Sequence, residues 1–167
     1  RNRFGKRGEE LYNFVHWRDD RPLVLDRERK SIGREETLAE DVSDHEEIIT
    51  LLRELSEGVG YRLRKSGFSA RTLTIKVRFP DFKTITRSHT SEQLLYTDQE
   101  IFAVARELYR SLNNNRPIRL LGVQVSGFEQ GIQLSLFDEQ KDKEIKLANL
   151  VDELNEKYGG KAIKRGI

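Results

Sequence analysis

The chain has 167 residues, 36% of them hydrophobic and 35% charged: enough core material for one domain with tails, but polar for its size. No run approaches the roughly 18–20 apolar residues of a membrane span, which excludes a transmembrane helix in this sequence, and no apolar stretch follows a basic start, so nothing in it looks like a secretory signal. Zero cysteines exclude disulfides, thiol catalysis and cysteine-ligated zinc, and the three scattered histidines (His16, His45 and His89) do not suggest a metal centre. The chain starts at Arg1 and contains no methionine, so it is expected to be a piece of something longer.

Residues 1–15 suggest a short helix with Leu11, Phe14 and Val15 as its apolar side. It is interrupted near Pro22, because the residue before a proline avoids the α region. Residues 23–30 alternate between charged and aliphatic and read as a linker, and a strand is expected at about 30–38. Ser43-Asp-His-Glu46 has the form of a capping box with Ser43 as the cap. Behind it Ile48, Leu52, Leu55, Val59 and Leu63 recur at helical spacing, giving a helix of about 44–66 that Gly67 stops.

Residues 71–79 alternate strictly, with Leu73, Ile75, Val77 and Phe79 on one side and Thr72, Thr74, Lys76 and Arg78 on the other. That is a half-buried strand with a basic, hydroxyl-bearing wet face. A turn at Pro80-Asp81 leads into a second strand, 82–90. There Ile85 shares a side with Lys83 and Arg87, so its faces stay unassigned; an edge position or a bulge would account for it. Thr97-Asp-Gln-Glu100 is a second capping box, followed by the stripe Ile101, Ala105, Leu108 and Leu112, with Asn113–Asn115 and Pro117 as the stop. Residues 118–128 form a last strand with Leu121, Val123 and Val125 inward. The order β-α-β-β-α-β is that of the split βαβ, ferredoxin-like α+β fold: a four-stranded antiparallel sheet with two helices on one face. Beyond it, Leu147, Leu150, Val151, Leu154 and Tyr158 mark an amphipathic helix, whose partner the sequence leaves open.

Charge is segregated along this order. Residues 35–58 carry nine acidic side chains against Arg53 alone, and residues 61–90 carry eight basic ones against Asp81 alone. The basic sector is either a footprint for a polyanion or a solvated strand face. There is no G-x-S-x-G, no glycine-rich phosphate loop and no H-E-x-x-H, and the carboxylates of the first long helix lie opposite its apolar stripe. No catalytic residues and no metal ligands are therefore expected in this chain.

Lys30-Ser-Ile-Gly-Arg-Glu-Glu-Thr37-Leu38 resembles the opening strand of the little finger domain of Y-family translesion DNA polymerases, most nearly the bacterial polymerase IV class. Other stretches resemble the same family in the same order. Residues 3–22 are similar to the last thumb helix and its exit, 69–90 to the central hairpin and 117–128 to the closing strand. Residues 133–140, QLSLFDEQ, resemble the sliding-clamp-binding peptide, and 157–166 the end of the longer bacterial tails. Leu38 stands where an aromatic residue is usual, and His16-Trp17 where small residues are usual near the thumb exit. The resemblance divides the chain into thumb end (1–22), linker (23–29), little finger (30–128), clamp-binding peptide (129–140) and helical tail (141–167). It also implies that the catalytic palm, with its Mg2+ ions, lies outside this chain, which would bind DNA and a clamp and polymerise nothing.

Two sites follow from the resemblance. The exposed sheet face is expected to meet the phosphates of primer–template DNA through Lys30, Ser31, Gly33 and Arg34, then Arg71, Thr72 and Thr74, then Thr84, Thr86, Arg87 and Ser88. Charge and alternation add Lys76, Arg78 and Lys83. With about four to six phosphates neutralised, log K would fall against log salt with a slope of about −4 to −5. The second site is Gln133-Leu134-Ser135-Leu136-Phe137, whose Leu and Phe would plug an apolar pocket of the replicative clamp while Gln133 bonds the rim. Packing of these leucines on the domain itself is the plainer alternative. Other partners are the missing polymerase core of the same chain and no membrane, and the expected location is the cytoplasm, at the nucleoid. A polymerase V-like or plasmid-borne relative is the alternative within the same family. An RNA-binding or purely structural ferredoxin-like module is the reading from a different class, and RNA binding would need aromatics exposed on the sheet face.

Overall fold

The computed structural model describes residues 4–19, 29–130, 139–159 and 163. In chain order it contains α1 (Gly5–Val15), β1 (Ser31–Val42), α2 (His45–Lys65), β2 (Phe68–Arg78), β3 (Thr84–Leu95), α3 (Asp98–Ser111), β4 (Ile118–Gln130) and α4 (Glu139–Tyr158). The four strands make one antiparallel sheet in the order β1-β4-β2-β3, with α2 and α3 packed on one side. The expected α+β architecture is present, with β4 and β2 at its centre.

The helices begin where their caps allow. The cap of α2 is Asp44, one residue later than expected: its Oδ1 accepts from the Glu46 N–H at 2.8 Å, and Ser43 lies outside the helix. Either residue type serves, and the Asp carboxylate adds favourable charge at the positive helix end. Basic residues Arg62, Arg64 and Lys65 fill the last turn, and Gly67, at φ 70°, supplies the left-handed stop. Thr97 caps α3 in a full capping box: Thr97 Oγ1 accepts from the Glu100 N–H, and Glu100 Oε2 accepts from Thr97 N–H.

The core is the stripe of α2 (Ile48, Leu52, Leu55, Val59, Leu63) and the inner face of α3 (Ile101, Ala105, Tyr109) against Leu73, Ile75 and Val77 of β2 and Leu121, Val123 and Val125 of β4. Fully burying each of the leucines, isoleucines and valines among them contributes about 1.5–3 kcal/mol.

The tail helix packs on this body with the opposite side from the one its sequence suggests. Ile145 and Ala148 are buried, while Leu147, Leu150 and Tyr158 are exposed. What decides this is polar. Arg64, the most enclosed cation of α2, holds Asp152 with two hydrogen bonds (Nε–Oδ2 2.6 Å, Nη2–Oδ1 2.9 Å) and Asp98 of α3 with a third at 3.3 Å. Lys65 and Tyr61 meet Glu156, and Lys141 bridges to Glu100 at 2.9 Å. Burial pushes the Glu100 carboxyl up, but the amides of Thr97 and Tyr96 and the Lys141 ammonium outweigh it and hold the group below its ordinary value. Its stabilising contribution is complete above the ordinary carboxylate range and is lost as pH falls through the depressed value, so acid loosens the start of α3 and the seat of α4 together.

On α1, Leu11, Val15 and the adjoining Trp17 are exposed. None of the described helices is long and apolar enough to cross a membrane.

Asp152→Ala is expected to release α4. Amide protection across residues 145–155 falls by about 2–4 kcal/mol of local opening free energy while β2 and β4 keep theirs, read by hydrogen-exchange mass spectrometry. Unchanged protection would mean that Ile145 and Ala148 alone hold the helix.

Candidate nucleic-acid interface

The sheet face away from α2 and α3 is a lattice of four rungs set by the strand register. They run Ser31–Ser126–Thr72–Thr90, Gly33–Gln124–Thr74–Ser88, Glu35–Gly122–Lys76–Thr86 and Thr37–Leu120–Arg78–Thr84. The face is dominated by hydroxyls, and no position on these rungs is aromatic. Hydroxyls pair across the β2–β3 hairpin, Thr72 with Thr90 at 3.0 Å and Thr74 with Ser88 at 2.8 Å. Such pairs hold the rotamers while each oxygen keeps a further site for a ligand.

Two cations stand on the lattice. Arg78 donates from Nε to Thr84 Oγ1 at 2.9 Å. Lys76 reaches Glu35 at 2.7 Å, from β2 to β1 across the intervening β4. That reach depends on Gly122 between them: a Cβ there would lie 3.0 Å from the Glu35 Cβ and 3.5 Å from the Lys76 Cβ. Lys30 is exposed immediately before β1.

Several residues expected on this face lie elsewhere. Arg34 and Arg87 occupy the two ends of the opposite rung Arg34–Val123–Ile75–Arg87. Apolar residues of the central strands, Val123 and Ile75, fill the middle of that rung, while the two arginines stand on the edge strands β1 and β3, where both are exposed. The Arg34 guanidinium lies against α2 at Gly58, where a Cβ would meet its Nη1 at 2.9 Å. Arg87 is exposed and donates to the neighbouring Thr86 carbonyl at 3.0 Å. Ile85 faces the core on the same side, which settles the faces of β3. Lys83 precedes β3, in the turn. Arg71 is engaged by the Glu129 carboxylate and the Glu92 carbonyl. Gly33 lies close to its neighbour Gln124, whose Cβ would be 3.2 Å from an added Cβ.

The remaining members of the basic sector are mostly committed: Arg64 and Lys65 to the α4 carboxylates, Arg62 to the Gly33 carbonyl at 3.1 Å. The face therefore has fewer cations than the linear count suggests, and it has members that sequence reasoning did not name: Thr37, Thr90, Gln124 and Ser126. The alternation of β4 contained the signal for the last two, since its inward residues Leu121, Val123 and Val125 fix Gln124 and Ser126 outward. Gln133–Phe137, the expected clamp peptide, lie outside the described residues; β4 runs to Gln130 before them and α4 starts at Glu139 after them.

Comparisons with known proteins fit this architecture. The family model described as the impB/mucB/samB family C-terminal domain matches residues 29–136. The chain is 41% identical over 130 residues to DNA polymerase IV of Clostridium perfringens, covering 77% of this chain and 36% of that protein. It is 33% identical over 167 residues to DNA polymerase IV 1 of Mesorhizobium japonicum, covering 98% of this chain and 38% of that protein. It thus spans well under half the length of these curated relatives. Among solved structures it resembles the little finger domain of PolIV in complex with the beta-clamp processivity factor, with a TM-score of 0.50 and 25% identity over 64% of this chain and 98% of that one. A Y-family DNA polymerase chimera shares the fold, with a TM-score of 0.57 and 20% identity over 75% of this chain and 36% of that one.

If Lys76 and Arg78 serve a ligand rather than the fold, Lys76→Ala and Arg78→Ala each change unfolding free energy by less than about 1 kcal/mol, as exposed pairs do. Chemical denaturation checks this, and a loss of several kcal/mol would make them structural.

Proposed function

The chain belongs to the impB/mucB/samB family of C-terminal domains, and from that membership we propose that it is the DNA- and clamp-binding domain of an error-prone translesion polymerase of the polymerase IV class. The observation that carries the DNA reading is the uncovered, hydroxyl-rich sheet face with Lys30, Lys76 and Arg78 on or beside it.

Hydroxyls suit a sequence-blind grip. Each hydroxyl whose O–H is not spent on a neighbour, one in each of the Thr72–Thr90 and Thr74–Ser88 pairs, can donate to a phosphate oxygen, and none presents the fixed donor–acceptor pair that reads a base edge. The outer edges of β1 and β3 add backbone N–H groups left unpaired by the sheet. Backbone-only contact lets a polymerase hold DNA whose bases are damaged. The absence of aromatics from the rungs disfavours the RNA-binding module, which stacks bases on its sheet. The relatives reported above are all named DNA polymerase IV, which favours that class over a polymerase V-like one.

The whole protein would polymerise DNA in a palm domain outside this chain, with Mg2+ supplying charge neutralisation there. Among the described residues no three or more His, Asp or Glu side chains gather to hold a metal, and no step here runs through one. Recruitment falls to Gln133-Leu134-Ser135-Leu136-Phe137: Leu136 and Phe137 enter an apolar cleft of the replicative sliding clamp, and DNA and clamp contacts on one chain reinforce each other through effective concentration. The nucleoid is the location this function requires.

On primer–template DNA, log K should fall against log salt with a slope of about −3, set by Lys30, Lys76 and Arg78. Glu35→Gln removes the carboxylate that neutralises Lys76 and should tighten binding roughly threefold. A slope near zero, or no gain in the variant, contradicts the proposed face. In calorimetry with the sliding clamp of the source organism, binding should be about micromolar or tighter and should vanish in the Leu136→Ala/Phe137→Ala variant. Binding that survives the double substitution, or none by the unsubstituted chain, removes the clamp role.

A further inference from the structure

The turn between β2 and β3 is built at a cost that the fold does not explain. Phe79 N–H donates to the Lys83 carbonyl at 3.0 Å and Phe82 N–H to the Phe79 carbonyl at 2.9 Å, while the Asp81 carboxylate accepts from Lys83 N–H at 3.1 Å. Within this closed turn Phe82 has φ 62°, the left-handed region where glycine and asparagine are at ease and a bulky side chain is strained. Burial does not offset that strain, because Phe82 is 67% exposed. A large apolar ring in a strained, solvent-facing turn is the kind of outlier from which a function is inferred.

Its surroundings indicate which function. Arg119 of β4 places its guanidinium carbon 5.1 Å from the Phe82 ring centre, and Arg116, just before β4, lies 4.3 Å from the Phe79 ring centre. Both arginines are steered by carboxylates: Arg119 by Asp41 at 2.9 and 3.3 Å, Arg116 by Asp81 at 2.8 Å. With the nearby Arg78 and Lys83, four cations surround the turn against these two acids, leaving it net positive. The turn also continues the polar face, since Arg78 and Thr84 form the last rung of the β2–β3 hairpin and the turn joins them directly. So an aromatic ring, one side under a guanidinium and the rest open to solvent, stands at the end of the row of hydroxyls and cations assigned to DNA.

A ring in such a place stacks on bases, but only where a base has an open π-face. Paired bases inside a duplex do not, whereas unpaired nucleotides beyond its end do. We propose that Phe82 is a stacking platform for an unpaired nucleotide of the single-stranded DNA that runs on from the duplex, with Lys83 and Arg119 meeting the adjoining phosphates. The inference rests on the proposed binding of duplex DNA to the sheet face and adds to it a separate site for the strand beyond.

The test separates the two. The chain has a single tryptophan, Trp17, which is 96% exposed, so Trp17→Phe removes it without touching the core. In that background Phe82→Trp makes the turn the only source of indole fluorescence, and Phe82→Asn keeps the left-handed turn while deleting the ring. The DNA probes are one duplex with blunt ends and the same duplex with a template-strand overhang of a few nucleotides. The overhang is expected to tighten binding of the unsubstituted chain by about tenfold, Phe82→Asn to lose that gain while binding the blunt duplex as before, and the Phe82→Trp fluorescence to be quenched by the overhang DNA alone. Equal affinity of Phe82→Asn and the unsubstituted chain for the overhang DNA, or equal losses on both DNAs, overturns the platform and leaves the sheet face standing. Failure of the unsubstituted chain to bind either DNA overturns the sheet-face reading and this inference with it.

Discussion

Two helices cover one face of a four-stranded sheet and no more, and the rest of this molecule depends on which face they take. With β4 and β2 at the centre, the inward positions Leu121, Val123, Val125, Leu73, Ile75 and Val77 are fixed beneath α2 and α3. A slip of one residue in either strand would exchange these for Gly122, Gln124, Thr74 and Lys76, at a cost of several large side chains exposed to water. The same register that builds the core therefore sets the hydroxyl lattice on the other side, so the stability of one face maintains the precision of the other.

Charge on this domain is organised locally. The acidic and basic sectors are separate in sequence, and in space their members pair mostly with residues outside both: Lys76 joins the two through Glu35, while Asp41 meets Arg119, Asp81 meets Arg116, and Arg64 meets Asp98 and Asp152. The surface pairs contribute little energy each but orient their cations. Arg64 is different: with 6% of its side chain exposed it is an enclosed charge, and removing its partners would leave that charge unpaired. This is why an otherwise weakly apolar helix, α4, has a defined seat.

What the sequence makes legible is whatever a periodic signal carries. The α2 stripe, the Thr97 box and the strict alternation of β2 each place a helix or strand and its buried side, because one side of each packs on the core. The edge strands give no such signal. Arg34 and Arg87 share the core side with Ile32 and Ile85 on the two edge strands, and alternation alone cannot separate a charged residue at the rim of the core from one on the open face. The order of strands is likewise a long-range fact, absent from any local window. For α4 the apolar stripe left the partner open, because the docking rests on Asp152, Glu156 and Lys141, residues that look like ordinary solvated charge until Arg64, Lys65 and Glu100 stand opposite. For Asp44 the miss was one position, within the usual ambiguity between neighbouring cap residues.

The central claim is that the uncovered sheet face, and not the helical face, meets the DNA backbone. The threonines mark both: Thr37, Thr72, Thr74, Thr84, Thr86 and Thr90 lie on the rungs, while Thr50 is on α2 and Thr97 caps α3. Methyl NMR of the chain labelled at threonine, titrated with duplex DNA, reads all of them at once. The account predicts that the rung threonines shift together at one affinity while Thr50 and Thr97 stay in place. Shifts led by Thr50 and Thr97, with the rung methyls unmoved, would contradict it.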